Sequence, residues 1–147
     1  MKSFLTLALV VLACGCRTDR YRYLFTPSPA EVLVQPEGKG IVARALITVL
    51  EGVSGDASAT MHLRIRIENR DDEPIRLVPE SLQLVGSDLA EFGKGQVDPP
   101  ADEIQPGSVQ TYDLRFAFPP GLKLSAPDLD GLNLAWRLDY AGGAAEV

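Results

Sequence analysis

The chain has 147 residues, enough for one domain with a buried core, and its 46% hydrophobic and 23% charged content is ordinary for a globular protein. Fourteen basic residues against twenty acidic ones leave a formal charge of −6, which argues against a nucleic-acid partner, because neutralising phosphates calls for a basic surface. Two cysteines rule out a disulfide framework.

At the N-terminus Lys2 is followed by "FLTLALVVLA", an apolar run from Phe4 to Ala13. A membrane-spanning helix needs about 20 apolar residues, so this run is too short to span, but it suits the hydrophobic region of an export signal. The run ends in "VLACGC". "VLAC" resembles the lipobox of bacterial lipoproteins, in which a small residue precedes a cysteine that receives diacylglycerol before the leader is removed. Leu12 departs from the usual small residue two places before that cysteine, and "ACGC" offers Cys16 as an alternative. Cys14 is preferred because it directly ends the apolar run. A disulfide between Cys14 and Cys16 would close a very small ring, against the ~4.4 Å or more that Cα atoms in a bridge require. A metal clip would need further soft ligands, yet His62 is the sole histidine.

The expected organisation is therefore a leader over residues 1–13, a lipidated tether over 14–30 and a folded domain over 31–147. The protein is expected in the cell envelope, anchored to a membrane by its N-terminal lipid, at the outer membrane or on the periplasmic face if the cell is Gram-negative. Within the tether, Arg17, Arg20 and Arg22 interleave with Tyr21, Tyr23 and Phe25. Two readings stay open: a stripe resting on anionic headgroups, or a linker whose aromatics pack on the edge of the domain. Fully extended, fifteen such residues reach about 50 Å.

From residue 31 onward the chain reads as short strands. "EVLVQ" between Pro29 and Pro36 predicts an edge strand. "GIVARALITVLEG" has enough Ala and Leu for a helix, but Ile41, Val42, Ile47, Thr48 and Val49 favour a strand. "TMHLRIRIENR" alternates strictly, with Met61, Leu63, Ile65 and Ile67 against His62, Arg64, Arg66 and Glu68, the period of a strand wet on one face. "NRDDEP" supplies a turn. "IRLV" and "SLQLV", separated by Pro79, continue the alternation through Ile75, Leu77, Leu82 and Leu84. In "SDLAEFGKG", Ser87 is expected to cap a helical turn over Leu89–Phe92. "VQTYDLRFAFPPG" places Tyr112, Leu114, Phe116 and Phe118 inward, and "GLNLAWRLDY" places Leu132, Leu134, Trp136, Leu138 and Tyr140 inward. About seven strands without intervening helices predict an all-β, antiparallel sandwich.

The strand "HLRIRIENRDDEPIRL", the phrase "IQPGSVQTYDLRFAFP" and the closing "LNLAWRLDY" resemble bacterial extracellular immunoglobulin-like domains, similar to those of lipoproteins in the DUF4352 and MPT63-like group. In such domains a strand ending in Asn leads into a polar turn, and a Pro-Gly turn introduces a later strand; Asn69 matches the first and Pro106–Gly107 the second. The resemblance covers about residues 40–140. It implies an immunoglobulin-like sandwich and carries no catalytic residue. The paired core cysteines of antibody domains are missing from this chain.

Signs of chemistry are sparse. His62 is expected on the solvent face as an ordinary surface residue. A Ser-His-Asp site would have to use it, and no G-x-S-x-G elbow presents a nucleophile. Asp88, Glu91, Asp98, Asp102 and Glu103 fall in an expected long loop, and Asp128, Asp130 and Asn133 in another. Calcium needs six to eight oxygen ligands, and "DLDGLN" fails the EF-hand spacing, so these acids are expected to be solvated. Arg64 and Arg66 are expected to pair with acids across the sheet, and Trp136 to lie in the core. No catalytic, cofactor-binding or metal-binding residue is assigned, and no cofactor is expected. The expected function is a non-catalytic binding or scaffolding module with an unidentified envelope protein as partner. A small envelope hydrolase with a loop-borne site and a calcium-stabilised adhesion domain are the alternatives.

Overall fold

The computed structural model describes residues 21–24, 26–54, 59–86, 91–118 and 132–147. They form nine antiparallel strands: β1 (Tyr21–Leu24), β2 (Glu31–Val34), β3 (Ala43–Ser54), β4 (Ala59–Asn69), β5 (Arg76–Val85), β6 (Glu91–Asp98), β7 (Val109–Ala117), β8 (Asn133–Tyr140) and β9 (Gly143–Glu146). The order is β1-β3-β4-β7-β6-β5-β8-β9, with β2 also on β3. β3-β4-β7-β6 make one layer and β5-β8-β9 the other, the arrangement of an immunoglobulin-like sandwich, in which four strands face three. β1 and β2 are additions to the outer edge of β3, each covering a third of its length.

The alternation of the sequence becomes the core. Met61, Leu63, Ile65 and Ile67 of β4 are buried, as are Tyr112, Leu114 and Phe116 of β7; Leu77, Leu82 and Leu84 of β5, with Trp136 and Leu138 of β8, meet them from the facing sheet. β3 is a strand, as its β-branched residues suggest, but its period breaks. Ile47 is opposite Ile65 and Val49 opposite Arg64, so Thr48 is an extra residue, a bulge of the kind that shifts which side chains face outward. Thr48 Oγ1 donates to the Arg64 carbonyl at 3.3 Å. Beyond the bulge Gly52 is the buried residue, and Glu51 lies opposite outward-facing His62.

Three elements differ from the sequence reading. "IRLV" and "SLQLV" are one strand, β5, interrupted by an arch between Val78 and Gln83. Pro79 has no N–H to give to a ladder, and Ser81 repairs the gap: its hydroxyl donates to the Val78 carbonyl at 2.6 Å and accepts the Arg137 N–H at 2.8 Å. The helical turn expected over Leu89–Phe92 is not formed at Glu91 and Phe92, which begin β6; Ser87–Ala90 lie outside the described residues. Tyr21–Leu24, read as tether, instead pair with Glu51–Ser54.

β6 belongs to both layers. Glu91 and Lys94 are opposite Val85 and Gln83 of β5, whereas Gly95–Asp98 pair with Asp113–Phe116 of β7. The crossing point is Gly95, wedged between a ring and an aliphatic side chain. A Cβ there would lie 2.8 Å from the Phe116 ring and 3.2 Å from Leu82 Cβ. Since Phe116 is fully buried, the ring has nowhere to retreat. Gly95→Ala is expected to cost about 2 kcal/mol by overpacking, read as a lower urea midpoint with an unchanged denaturant slope.

Candidate functional site

The lipidation positions Cys14 and Cys16 lie outside the described residues, as do Arg17, Arg20, Phe25 and the loop acids Asp88, Asp128 and Asp130. The described residues carry three polar features and one groove.

The first feature is on the outer face of the first sheet. β4 and β7 run side by side with Arg64 opposite Asp113. Arg64 grips that carboxylate with two of its nitrogens, Nε to Oδ1 at 2.9 Å and Nη2 to Oδ2 at 3.1 Å. His62 Nε2 is 2.8 Å from the same Oδ1. The Arg64 guanidinium first, and the His62 bond second, hold the Asp113 carboxyl below its ordinary value. The cross-strand pairing expected of Arg64 is thus present, and His62 is half-buried within it. A Ser-His-Asp site would need a serine hydroxyl on the histidine in a recess; among the described residues the only side chain bonded to His62 is Asp113, on an open sheet face. Arg66 departs from expectation: it has no acid within ion-pair reach among the described residues.

The second feature is the network around Asn69, the last residue of β4 and almost completely buried. Its Nδ2 donates to the carbonyls of Glu73 at 2.9 Å and Ile104 at 2.8 Å, and its Oδ1 accepts the Asp71 N–H at 2.8 Å. Its backbone N–H donates to Ser108 O, while its carbonyl accepts from Gly107 N. Asn69 and the Pro106–Gly107 turn, singled out separately in the sequence, are therefore bonded to each other. Gly107 has φ +70°, a conformation that favours glycine.

The third feature is Lys39. Its ammonium donates to buried Asp71 at 2.6 Å and sits 4.8 Å from the centre of the Tyr140 ring. That bond keeps the Lys39 ammonium charged to higher pH than usual and, as its largest cause, holds the Asp71 carboxyl low. Lys39 thereby ties the Pro36–Lys39 turn of one layer to β8 of the other.

Beside this tie lies the groove, about 460 Å³, walled on one side by Leu33, Val34, Gln35 and Pro36 and on the other by Tyr140 and Ala144–Val147. It opens between the edges of two strands that have no further neighbour among the described residues, β2 in the first layer and β9 in the second. Trp136 and Val147 exchange both backbone hydrogen bonds. In an antiparallel ladder such pairs alternate, so Ala144 and Glu146 turn their N–H and C=O groups away from β8, toward the open edge. By the same alternation, Ile47 N donating to Ala30 O leaves Glu31 and Leu33 with outward backbone groups on β2. The sequence marked β2 as an edge strand; β9, in "GGAAE", lacks the β-branched residues that mark a strand and is visible only in the structure.

Comparison with protein-family models, with curated proteins and with solved structures found no match. Among the described residues no cluster of three His, Cys, Asp or Glu side chains could hold a metal ion. Asp98, Asp102 and Glu103 are exposed, as expected, although Glu91–Asp98 is strand rather than loop.

Proposed function

We propose that this chain is a lipid-anchored protein of the bacterial cell envelope whose β-sandwich serves as a non-catalytic binding or scaffolding module, engaging an envelope protein by strand addition. The leader-like "FLTLALVVLACGC" supports the location. The observation that carries the binding reading is the groove flanked by two strand edges that have no further partner among the described residues, where backbone donors and acceptors stand ready beside a lining that mixes Leu33, Val34 and Pro36 with Gln35, Glu37 and Glu146. A guest strand gains affinity from main-chain hydrogen bonds and selectivity from the pockets that receive its alternate side chains. A natural edge left this open is ordinarily blocked by charge, proline or a covering segment; β9 carries Gly143, Ala144 and Ala145 before its one charged residue, Glu146.

The test is a photo-reactive residue placed at Ala144 in living cells, with and without Ala144→Pro on a second copy used as competitor. Proline at 144 removes only the outward N–H, sparing the β8–β9 bonds, so the fold is expected to survive with less than about 1 kcal/mol lost. The wild-type copy is expected to displace the crosslink to one envelope protein and the proline copy to fail. Equal competition by both copies would refute strand addition at β9.

A further inference from the structure

We infer that the outer face of the first sheet is the side the protein turns toward an anionic membrane surface, binding lipid phosphates through Arg66 and Arg115; this rests on the lipid-anchor reading above. Charge is not spread evenly over the molecule. Although the chain is acidic, Arg22, Arg44, Arg64, Arg66, Arg70 and Arg115 gather on or beside this one face, among the acids Glu31, Glu51, Glu68, Asp98 and Asp113. Asp72, Glu73, Glu80, Asp102 and Glu103 are exposed elsewhere. Four of the six arginines are matched: Arg22 with Glu51, Arg44 with Glu31, Arg64 with Asp113 and Arg70 with Glu68. Arg66 and Arg115 are exposed and have no acid within ion-pair reach among the described residues. They stand on neighbouring strands on either side of the Arg64–Asp113 pair. A guanidinium presents a flat fork of donors that fits a phosphate with two bonds. The same face exposes apolar side chains at its margins, Leu24 of β1, Leu33 of β2 and Val109 of β7, which suits the boundary between headgroups and acyl chains.

The second observation is the pairing of β1. Because Tyr21–Leu24 are in the sheet, only six residues, 15–20, separate Cys14 from β1, a distance of about 25 Å at most. That is close to the thickness of a two-layer sandwich with its side chains, so the domain cannot stand clear of the surface that holds its lipid. Surface attraction fades beyond ~8 Å at physiological salt. A short leash keeps the domain close enough for the arginine face to come within that distance.

The test uses the processed lipoprotein with an environment-sensitive fluorescent residue in place of Thr111, the exposed partner of Arg66, or in place of Gln83, exposed on the opposite sheet. It is mixed with phosphatidylcholine vesicles, alone or containing phosphatidylglycerol. The position-111 probe is expected to shift to the blue and lose quencher access only with phosphatidylglycerol, the position-83 probe to stay unchanged. Arg66→Gln with Arg115→Gln is expected to raise the phosphatidylglycerol needed for a half-maximal shift by about tenfold. Equal responses at 111 and 83, or indifference to phosphatidylglycerol, overturn the proposal even if the protein stays on neutral vesicles, which is the sign that the anchor stands. A response at 111 in protein that neutral vesicles do not retain supports the face and removes the anchor. A response to soluble polyglutamate equal to that with phosphatidylglycerol assigns the face to an acidic protein and overturns the membrane assignment.

Discussion

Asn69→Ala is expected to destabilise the domain by about 3 kcal/mol, lowering the melting temperature by roughly 10 °C. The size follows from what the side chain leaves behind. Glu73 O loses the partner it has in the turn after β4, and Ile104 O and Asp71 N each lose one of two bonds in a site closed to water. Three chain segments, the turn at 70–73, the stretch around Ile104 and the Pro106–Gly107 turn, converge on this one residue, so the loss is felt in all of them. Asn69→Asp is expected to do no better, because a carboxylate would face two carbonyl oxygens where the amide donated. Thermal and urea denaturation check both variants. A loss below about 1 kcal/mol for Asn69→Ala would mean that water replaces the amide and that Asn69 is not the organiser of this end of the sandwich.

Cys14→Ser is expected to abolish incorporation of labelled fatty acid and to leave a precursor that retains its leader, whereas Cys16→Ser is expected to leave both processing and membrane retention intact. The effect is all-or-none because a serine hydroxyl does not replace the thiol that would carry the diacylglycerol, and membrane retention is lost with it, since stable anchoring takes two or more acyl chains. Gel mobility, metabolic labelling and the mass of the N-terminal peptide read the result. The reverse pattern would move the acylation site to Cys16, and unchanged labelling in both variants would remove the anchor altogether.

How much was legible in the sequence depended on whether one side-chain period described a segment from end to end. β4 and β7 keep period two throughout, and Met61–Ile67 and Tyr112–Phe116 lie on the faces that the alternation predicts, while buried Asn69 was read only as the start of a turn. β3 looked ambiguous for a physical reason: the bulge at Thr48 breaks the alternation that would have declared it a strand. β5 looked like two strands because Pro79 interrupts it, and nothing in "VPESL" announces that Ser81 will stand in for a lost backbone group. β6 was missed because Gly93 and Gly95 dilute strand propensity, although the glycine at 95 is required by the close approach of Phe116. That Arg64 would meet an acid across the sheet was readable from alternation, but that the acid is Asp113 was not, because it depends on β7 lying beside β4 in this register. Nor was the groove, because it is made by two edges far apart in the chain, and an edge is a property of the sheet order.

The passage of β6 from one layer to the other has a mechanical consequence. The two layers are stitched by continuous backbone along one side, while on the opposite side, among the described residues, the contact of Lys39 with Tyr140 joins them. The sandwich is therefore joined like a bound book, by backbone at the spine and by side chains at the fore-edge. A guest slipping between β2 and β9 would open it there without breaking a single strand ladder.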